Sequence, residues 1–179
     1  MQELSLNVLD IAQNSIKAGA SLIDITLLFD DGGETFKLSV KDNGCGMSKE
    51  TAQRIVDPFF TTRTTRKVGL GVPFLKMAAE MTGGSLVIES EPGVGTDISA
   101  VFSQKHIDMM PIGDMASTMS ALMQMNPEID FIYSVKRGED GFTVDSREIK
   151  SILEDVPIST PSVAVFLREF IEENQKPIL

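Results

Sequence analysis

Apolar residues fall into two rhythms along this chain. At its start, Leu4, Leu6, Val8, Leu9, Ile11, Ala12, Ile16 and Ala18 follow helical spacing, so residues 1–18 are expected to form a helix. Alternation takes over at 22–29 (LIDITLLF) and 35–41 (TFKLSVK), which predicts two strands joined by the turn Asp30-Asp31-Gly32-Gly33. Ser48 to Val56 suits a short helix, with Ser48 as its N-cap and Thr51 in its first turn. Residues 57–70, rich in Thr, Arg and Gly, read as a loop. Val72 to Met81 returns to helical spacing and is stopped by Gly83-Gly84. Two more strands are predicted at 85–90 and 97–103, around the turn Glu91-Pro92-Gly93-Val94-Gly95-Thr96.

The composition changes after Ser103. Six of the ten methionines lie between Met109 and Met125. A helix is expected from about Asp114 to Met125, strands at 129–136 and 141–144, and helices at 146–154 and 161–173. The chain thus divides into residues 1–104 and a smaller α+β unit at 105–179, with the boundary near residues 104–110. At helical spacing, Met115, Met119 and Met123 suit a core, or an adaptable partner surface.

One stripe of the first helix is polar. Glu3, Asn7, Asp10, Asn14 and Lys17 share a face of a helix that is otherwise apolar. Such a stripe is either a solvated face or the wall of a cavity. Asn is a weak helix former and an uncommon choice for a plain solvent face. Asn and Asp oxygens are also the donors that Mg²⁺ accepts, and Mg²⁺ takes few protein ligands when phosphates and water supply the rest.

Composition narrows the chemistry. Sixteen basic and 26 acidic residues give 179 residues a net charge of −10, which argues against nucleic acid or an anionic membrane surface as partner. One Cys and one His exclude a disulfide framework and a multi-Cys or His-rich metal centre. No apolar run reaches membrane-spanning length, and the acidic N-terminus does not resemble a signal peptide. A cytoplasmic location is the expectation. Against this acidic background, Thr61 to Lys67 carries three bases, no acid and four hydroxyls. It is either a solvated loop or a contact for an anion.

Three glycine-bearing turns complete the picture. Asp42-Asn43-Gly44-Cys45-Gly46-Met47 ends the second strand, and its two glycines let a planar ring approach the backbone. The Asp42 carboxylate could accept a hydrogen bond from an exocyclic amine such as that of adenine. Guanine presents an oxygen at that edge and would set two acceptors against each other. Lys67-Val68-Gly69-Leu70-Gly71-Val72 leads into a helix, where free N–H groups favour phosphate. Gly93-Val94-Gly95-Thr96 by itself is an ordinary hairpin turn.

The order of these pieces resembles the GHKL ATPase superfamily of gyrase, heat-shock chaperone, histidine kinase and mismatch-repair ATPases. Asp10-Ile11-Ala12-Gln13-Asn14-Ser15 resembles the N box, Asp42 to Met47 the G1 box, and Asp57 to Arg63 the F box of histidine kinases. Gly69-Leu70-Gly71 resembles the G2 box and Gly93 to Thr96 the last turn. Residues 14 to 42 and 42 to 69 span 28 and 27 positions, intervals that also fit.

The resemblance implies an α+β fold over residues 1–104. This is a two-layer α/β sandwich of the histidine kinase-like ATPase type, with a mixed sheet, backing helices and a lid at 60–68. It implies that Asn14 holds Mg²⁺, that Asp42 binds the adenine amine, and that Gly44 and Gly46 allow close approach. Gly69 and Gly71 bind phosphates, Thr96 supports the adenine side, and Lys17, Arg63, Arg66 or Lys67 reach the phosphates.

Some positions depart from the pattern. Hydrolysing members carry Glu as general base four residues before the Mg²⁺-binding Asn, and histidine kinases often carry Asn. Asp10 stands there, ionisable but one methylene shorter than Glu, which suggests slow hydrolysis. The lid is short, and Val68 replaces the usual residue before the glycine pair. His106 does not sit in the two-helix unit that a phosphoacceptor needs. Cys45 reads as a neutral filler of the G1 turn. Two functions follow: a Mg-ATP-binding module that hydrolyses ATP or transfers phosphate to a protein partner, or a regulatory adaptor whose nucleotide-dependent lid closure controls partner binding.

Overall fold

The alternation in β1 (Leu22–Phe29) puts Ile23, Ile25, Leu27 and Phe29 on one face. Phe36, Leu38 and Val40 of β2 (Thr35–Asp42) face the same way, and the antiparallel register pairs Ile25 with Val40, Leu27 with Leu38 and Phe29 with Phe36. Burying one face of each strand in this way fixes the register, because a one-residue slip would turn every apolar side chain to water. The structure is a computed structural model describing residues 3–57 and 71–179.

Four further strands are β3 (Ser85–Glu91), β4 (Gly95–Ser103), β5 (Asp130–Arg137) and β6 (Asp140–Asp145). Among the described residues these six strands form one sheet in the order β3-β4-β2-β1-β5-β6. Every pairing is antiparallel except β1 with β5. The sheet is therefore mixed, as the sandwich expectation requires. The strands on the two sides of the boundary near residues 104–110 lie in this single sheet. Phe131, Tyr133 and Val135 of β5 continue the buried face of β1 through the pairs Ile23–Phe131, Ile25–Tyr133 and Leu27–Val135.

Helices form the second layer. α1 (Leu4–Lys17) packs on β1 and β2, and α3 (Gly71–Met81) on β3 and β4. α4 (Met115–Met125) and α6 (Pro161–Gln175) pack on each other and on the β5 and β6 side. The short α2 (Lys49–Arg54) touches β3, and α5 (Ser146–Leu153) touches β5 and β6. Ser48 caps α2 by accepting from the Thr51 N–H at 3.2 Å, the predicted start. Met115, Met119 and Met123 are buried in the core.

A polar pair spans the core between β5 and α6. The buried Tyr133 hydroxyl donates to Gln175 Oε1 at 2.7 Å, and burial pushes its pKa up. Removing that hydroxyl strands a buried amide oxygen. Tyr133→Phe is expected to cost about 1–3 kcal/mol in urea unfolding, and a change near zero would mean that Gln175 finds another donor.

Two aspartates secure two of the helices beyond residue 104. Asp114 caps α4 and Asp145 caps α5. Hydrogen bonds from Ser117 and Arg147, respectively, hold their carboxyls below the ordinary value of 3.8. A carboxylate with a lowered folded pKa stabilises the fold above its unfolded pKa and loses that effect as pH falls through the folded one. Thermal stability is therefore expected to decline as pH drops below about 3.8, and Asp114→Asn should flatten that decline.

Candidate nucleotide site

The site begins where α1 ends. Ala18 closes the helix, Gly19 turns the chain with φ +75°, and the Ala20 N–H bonds back to the Ser15 carbonyl at 3.1 Å. The Ala18 carbonyl accepts from the Cys45 N–H at 2.9 Å, which hangs the turn after β2 on the end of the helix. Asn43 braces the same junction. Its side-chain oxygen accepts from the Ser21 and Leu22 N–H groups, both at 2.9 Å, and its amide donates to Ser21 Oγ at 2.9 Å.

Within the turn, no side chain fits at Gly46. It has φ +61°, and a Cβ there would lie 2.0 Å from the Glu91 carbonyl oxygen. Gly44 is also tight, with an added Cβ 3.0 Å from both Ala18 Cβ and the Ala18 carbonyl oxygen. Cys45 is exposed, and its backbone carbonyl accepts from the Gly93 N–H at 2.8 Å.

Asp42 is held by both oxygens. Oδ1 accepts from the Gly44 N–H at 2.9 Å, and Oδ2 accepts from the Ser15 hydroxyl at 2.5 Å. Each carboxylate oxygen accepts more than one hydrogen bond, so acceptor capacity remains for a ligand amine. Asp42 pairs in register with Thr96 of β4. The buried Thr96 hydroxyl is 2.9 Å from Ser90 Oγ, which also donates to the Gly95 carbonyl and accepts from the Met47 N–H, each at 2.9 Å.

The polar stripe of α1 divides in two. Asn7 is buried and donates to the Glu3 carbonyl at 3.3 Å, a structural role. Asp10, Asn14 and Lys17 are exposed. Asp10 lies against the start of α3, where a Cβ on the buried Gly71 would sit 2.9 Å from Asp10 Cβ and 3.5 Å from Asp10 Oδ2. Asp10 therefore stands beside the first described turn of α3. Arg63, Arg66, Lys67, Gly69 and the expected lid lie outside the described residues. His106 is exposed in the turn after β4, where its Nδ1 accepts from the Asp108 N–H at 3.2 Å.

These positions suit Mg-ATP. Gly44 and Gly46 are needed first by the protein itself, because Ala18 and Glu91 fill the space a side chain would take, and this close packing holds the turn beside the fixed Asp42 carboxylate. Among the described residues, no group of three or more His, Cys, Asp or Glu side chains could hold a metal. Mg²⁺ shared with phosphates needs only one or two protein oxygens, which Asn14 and Asp10 could supply.

Ser15, Asn43 and Ser90 carry parts of the site that motif reading did not assign. Ser15 had a signal: it is a hydroxyl one position off the polar stripe, turned about 100° toward the apolar side of α1. Ser15→Ala should leave the fold intact and weaken nucleotide binding about tenfold, the size of one charge-assisted hydrogen bond. Isothermal titration would show this. Unchanged affinity would mean that the Gly44 N–H alone orients Asp42.

A mixed sheet with a glycine turn at a strand end, facing an Asn-bearing helix, defines a nucleotide-binding α/β sandwich. The profile of the family described as "Histidine kinase-, DNA gyrase B-, and HSP90-like ATPase" matches residues 1–106, and the chain belongs to this family. The chain is 33% identical over 110 residues to the "Non-motile and phage-resistance protein" of Caulobacter vibrioides, covering 56% of this chain and 13% of that protein. It is 29% identical over 101 residues to the "Signal transduction histidine-protein kinase AtoS" of Escherichia coli, covering 56% of this chain and 16% of that kinase. Against "Sensor protein SrrB" of Staphylococcus aureus the identity is 33% over 101 residues, covering 54% of this chain and 17% of that protein. The chain thus spans under a fifth of the length of these relatives. A solved structure titled "Crystal Structure of N terminal domain of a DNA repair protein" shares the fold with a TM-score of 0.55 at 16% identity, covering 81% of this chain and 52% of that one. Residues 1–106 are an ATP-binding, kinase-like module. No helix among the described residues is long and apolar enough to cross a membrane.

Proposed function

We propose that this chain binds Mg-ATP and either hydrolyses it or passes its γ-phosphoryl group to a protein partner. The observation that carries the reading is the position of Asp10, beside the start of α3 and one helical turn before Asn14 on α1. Adenine would lie in the turn of Gly44 and Gly46, its amine donating to Asp42 and its far side against Thr96. Asn14 would bind Mg²⁺, which when bound offsets charge on the phosphates. Gly69 and Gly71 would approach the phosphates through their backbone, and Lys17, Arg63 and Lys67 would supply positive charge. In hydrolysis, the Asp10 carboxylate accepts a proton from a water molecule. The water oxygen bonds to the γ-phosphorus, the bond to the bridging oxygen breaks, and ADP and inorganic phosphate leave. In transfer, a partner side chain takes the place of water. A cytoplasmic setting suits either reaction.

A second reading is an adaptor whose lid closure controls partner binding without chemistry. One observation favours it. The Leu4 and Ser5 N–H groups bond to the Pro111 and Ile112 carbonyls at 3.0 and 2.9 Å, so the helix bearing Asp10 and Asn14 is tied directly to the segment leading into α4.

Equilibrium titration with Mg-ATP and Mg-GTP, followed by phosphate-release and phosphotransfer assays, tests both readings. Tight ATP binding, at least about 100-fold weaker GTP binding and measurable turnover support the enzyme. Binding without release or transfer leaves the adaptor, and equal ATP and GTP binding would sink the placement of adenine at Asp42.

A further inference from the structure

Among the described residues, β3 is the outer strand on its side of the sheet. Its core-facing side is less deeply buried than that of β4 among the described residues. Leu86 pairs in register with Ala100 and Ile88 with Ile98; Ala100 is 0% exposed and Ile98 6%, whereas Leu86 and Ile88 are only half-buried. Beside them runs a groove of about 680 Å³ between α2, α3 and β3. Val56, Leu86 and Ile88 supply its apolar lining and Lys49 and Lys76 its positive charges, while Glu89, exposed on β3, borders it. Lys76 also lies 3.8 Å from Glu80 at the surface.

We propose that this edge and groove bind an extended segment of a partner protein, which adds to β3 as a further strand. An outer strand offers a row of backbone donors and acceptors, and an adjoining groove selects every second side chain of the incoming strand. The two sides of β3 state what that strand carries. Residues turned into the groove meet the apolar lining and the Lys49 and Lys76 ammonium groups, so they are aliphatic with a flanking acid. Residues turned to the opposite face meet exposed Ser85, Val87, Glu89 and Glu91, so they are Lys or Thr. The groove meets the nucleotide site only at its Ser90 border, and Lys49, Val56, Lys76, Leu86 and Ile88 are not among the nucleotide-binding side chains.

The probe is the peptide acetyl-Lys-Val-Thr-Ile-Lys-Glu-amide, titrated into the full ¹⁵N-labelled chain. Saturable binding is expected, with amide shifts confined to β3 and the facing residues of α2 and α3. N-methylating alternate peptide amides in two separate series should abolish binding in one series and spare it in the other, because only one edge of the peptide pairs with β3. Lys49→Glu combined with Lys76→Glu should weaken binding about tenfold and leave Mg-ATP affinity unchanged. No saturation at millimolar peptide, shifts centred at β6, equal effects of the two N-methyl series, or unchanged affinity in the lysine variant would each overturn the proposal.

Discussion

Asp42→Asn should abolish useful ATP binding, raising the Kd at least about 100-fold, or about 3 kcal/mol. The substitution is nearly isosteric. An Asn oxygen at the Oδ1 position can still accept from the Gly44 N–H, and its NH₂ can donate to Ser15 Oγ, which accepts as well as it donates. The turn therefore survives. What is lost is negative charge and the second acceptor that the adenine amine requires. Calorimetric titration of wild type and variant, with circular dichroism confirming equal folding, measures this. Comparable affinities would remove Asp42 from the adenine site.

Asp10→Ala should lower phosphate release about 10²–10⁴-fold with little change in ATP affinity. Asp10 does not belong to the glycine turn, so adenine contacts remain. Its truncation keeps Cβ, the Asp10 atom that lies nearest Gly71, so the packing of α1 on α3 is largely retained. Asp10→Asn separates charge from shape: it keeps the side-chain volume and removes the base. If Asp10→Asn and Asp10→Ala are equally slow, the carboxylate acts as base. If Asp10→Asn retains wild-type turnover, Asp10 is only a spacer between α1 and α3. A wild type without turnover supports the adaptor reading.

Much of this arrangement is legible in the order of residues. The alternation at 22–29 coincides with β1, and β2 extends one residue beyond its predicted end because Asp42 pairs with Thr96. Ser48 announces α2 through cap chemistry that depends only on neighbours in the chain. What connects distant segments is less visible. The alternation of β5 is compatible with any neighbouring strand, so nothing local in DFIYSVKR says that it joins β1 in parallel. Both Ser15 and Asp42 stand in motifs, yet their hydrogen bond depends on how α1 crosses the end of β2. The abutment of Asp10 on Gly71 likewise arises from packing between two helices that the motifs treat separately. Asn7 shows the converse. Periodicity assigns it to the polar stripe with Asp10 and Asn14, but it lies where α1 enters the core and uses its amide to satisfy the Glu3 carbonyl.

The parallel ladder between β1 and β5 also bears on how the chain reaches this state. Leu22 is partnered by Asp130, 108 positions later, and the register holds through Phe29 with Arg137. Contacts of such separation slow folding, because a long loop must close before they repay its entropy. On the ribosome, β1 and β2 emerge and pair well before residues 130–137 are made. During that interval the far side of β1, with its row of unpaired backbone groups, has no partner among the residues already made. Such an edge is a template for intermolecular pairing. Prematurely ended or slowly translated chains should therefore gather in aggregates, and chaperone demand during synthesis should fall once residue 137 has left the exit tunnel.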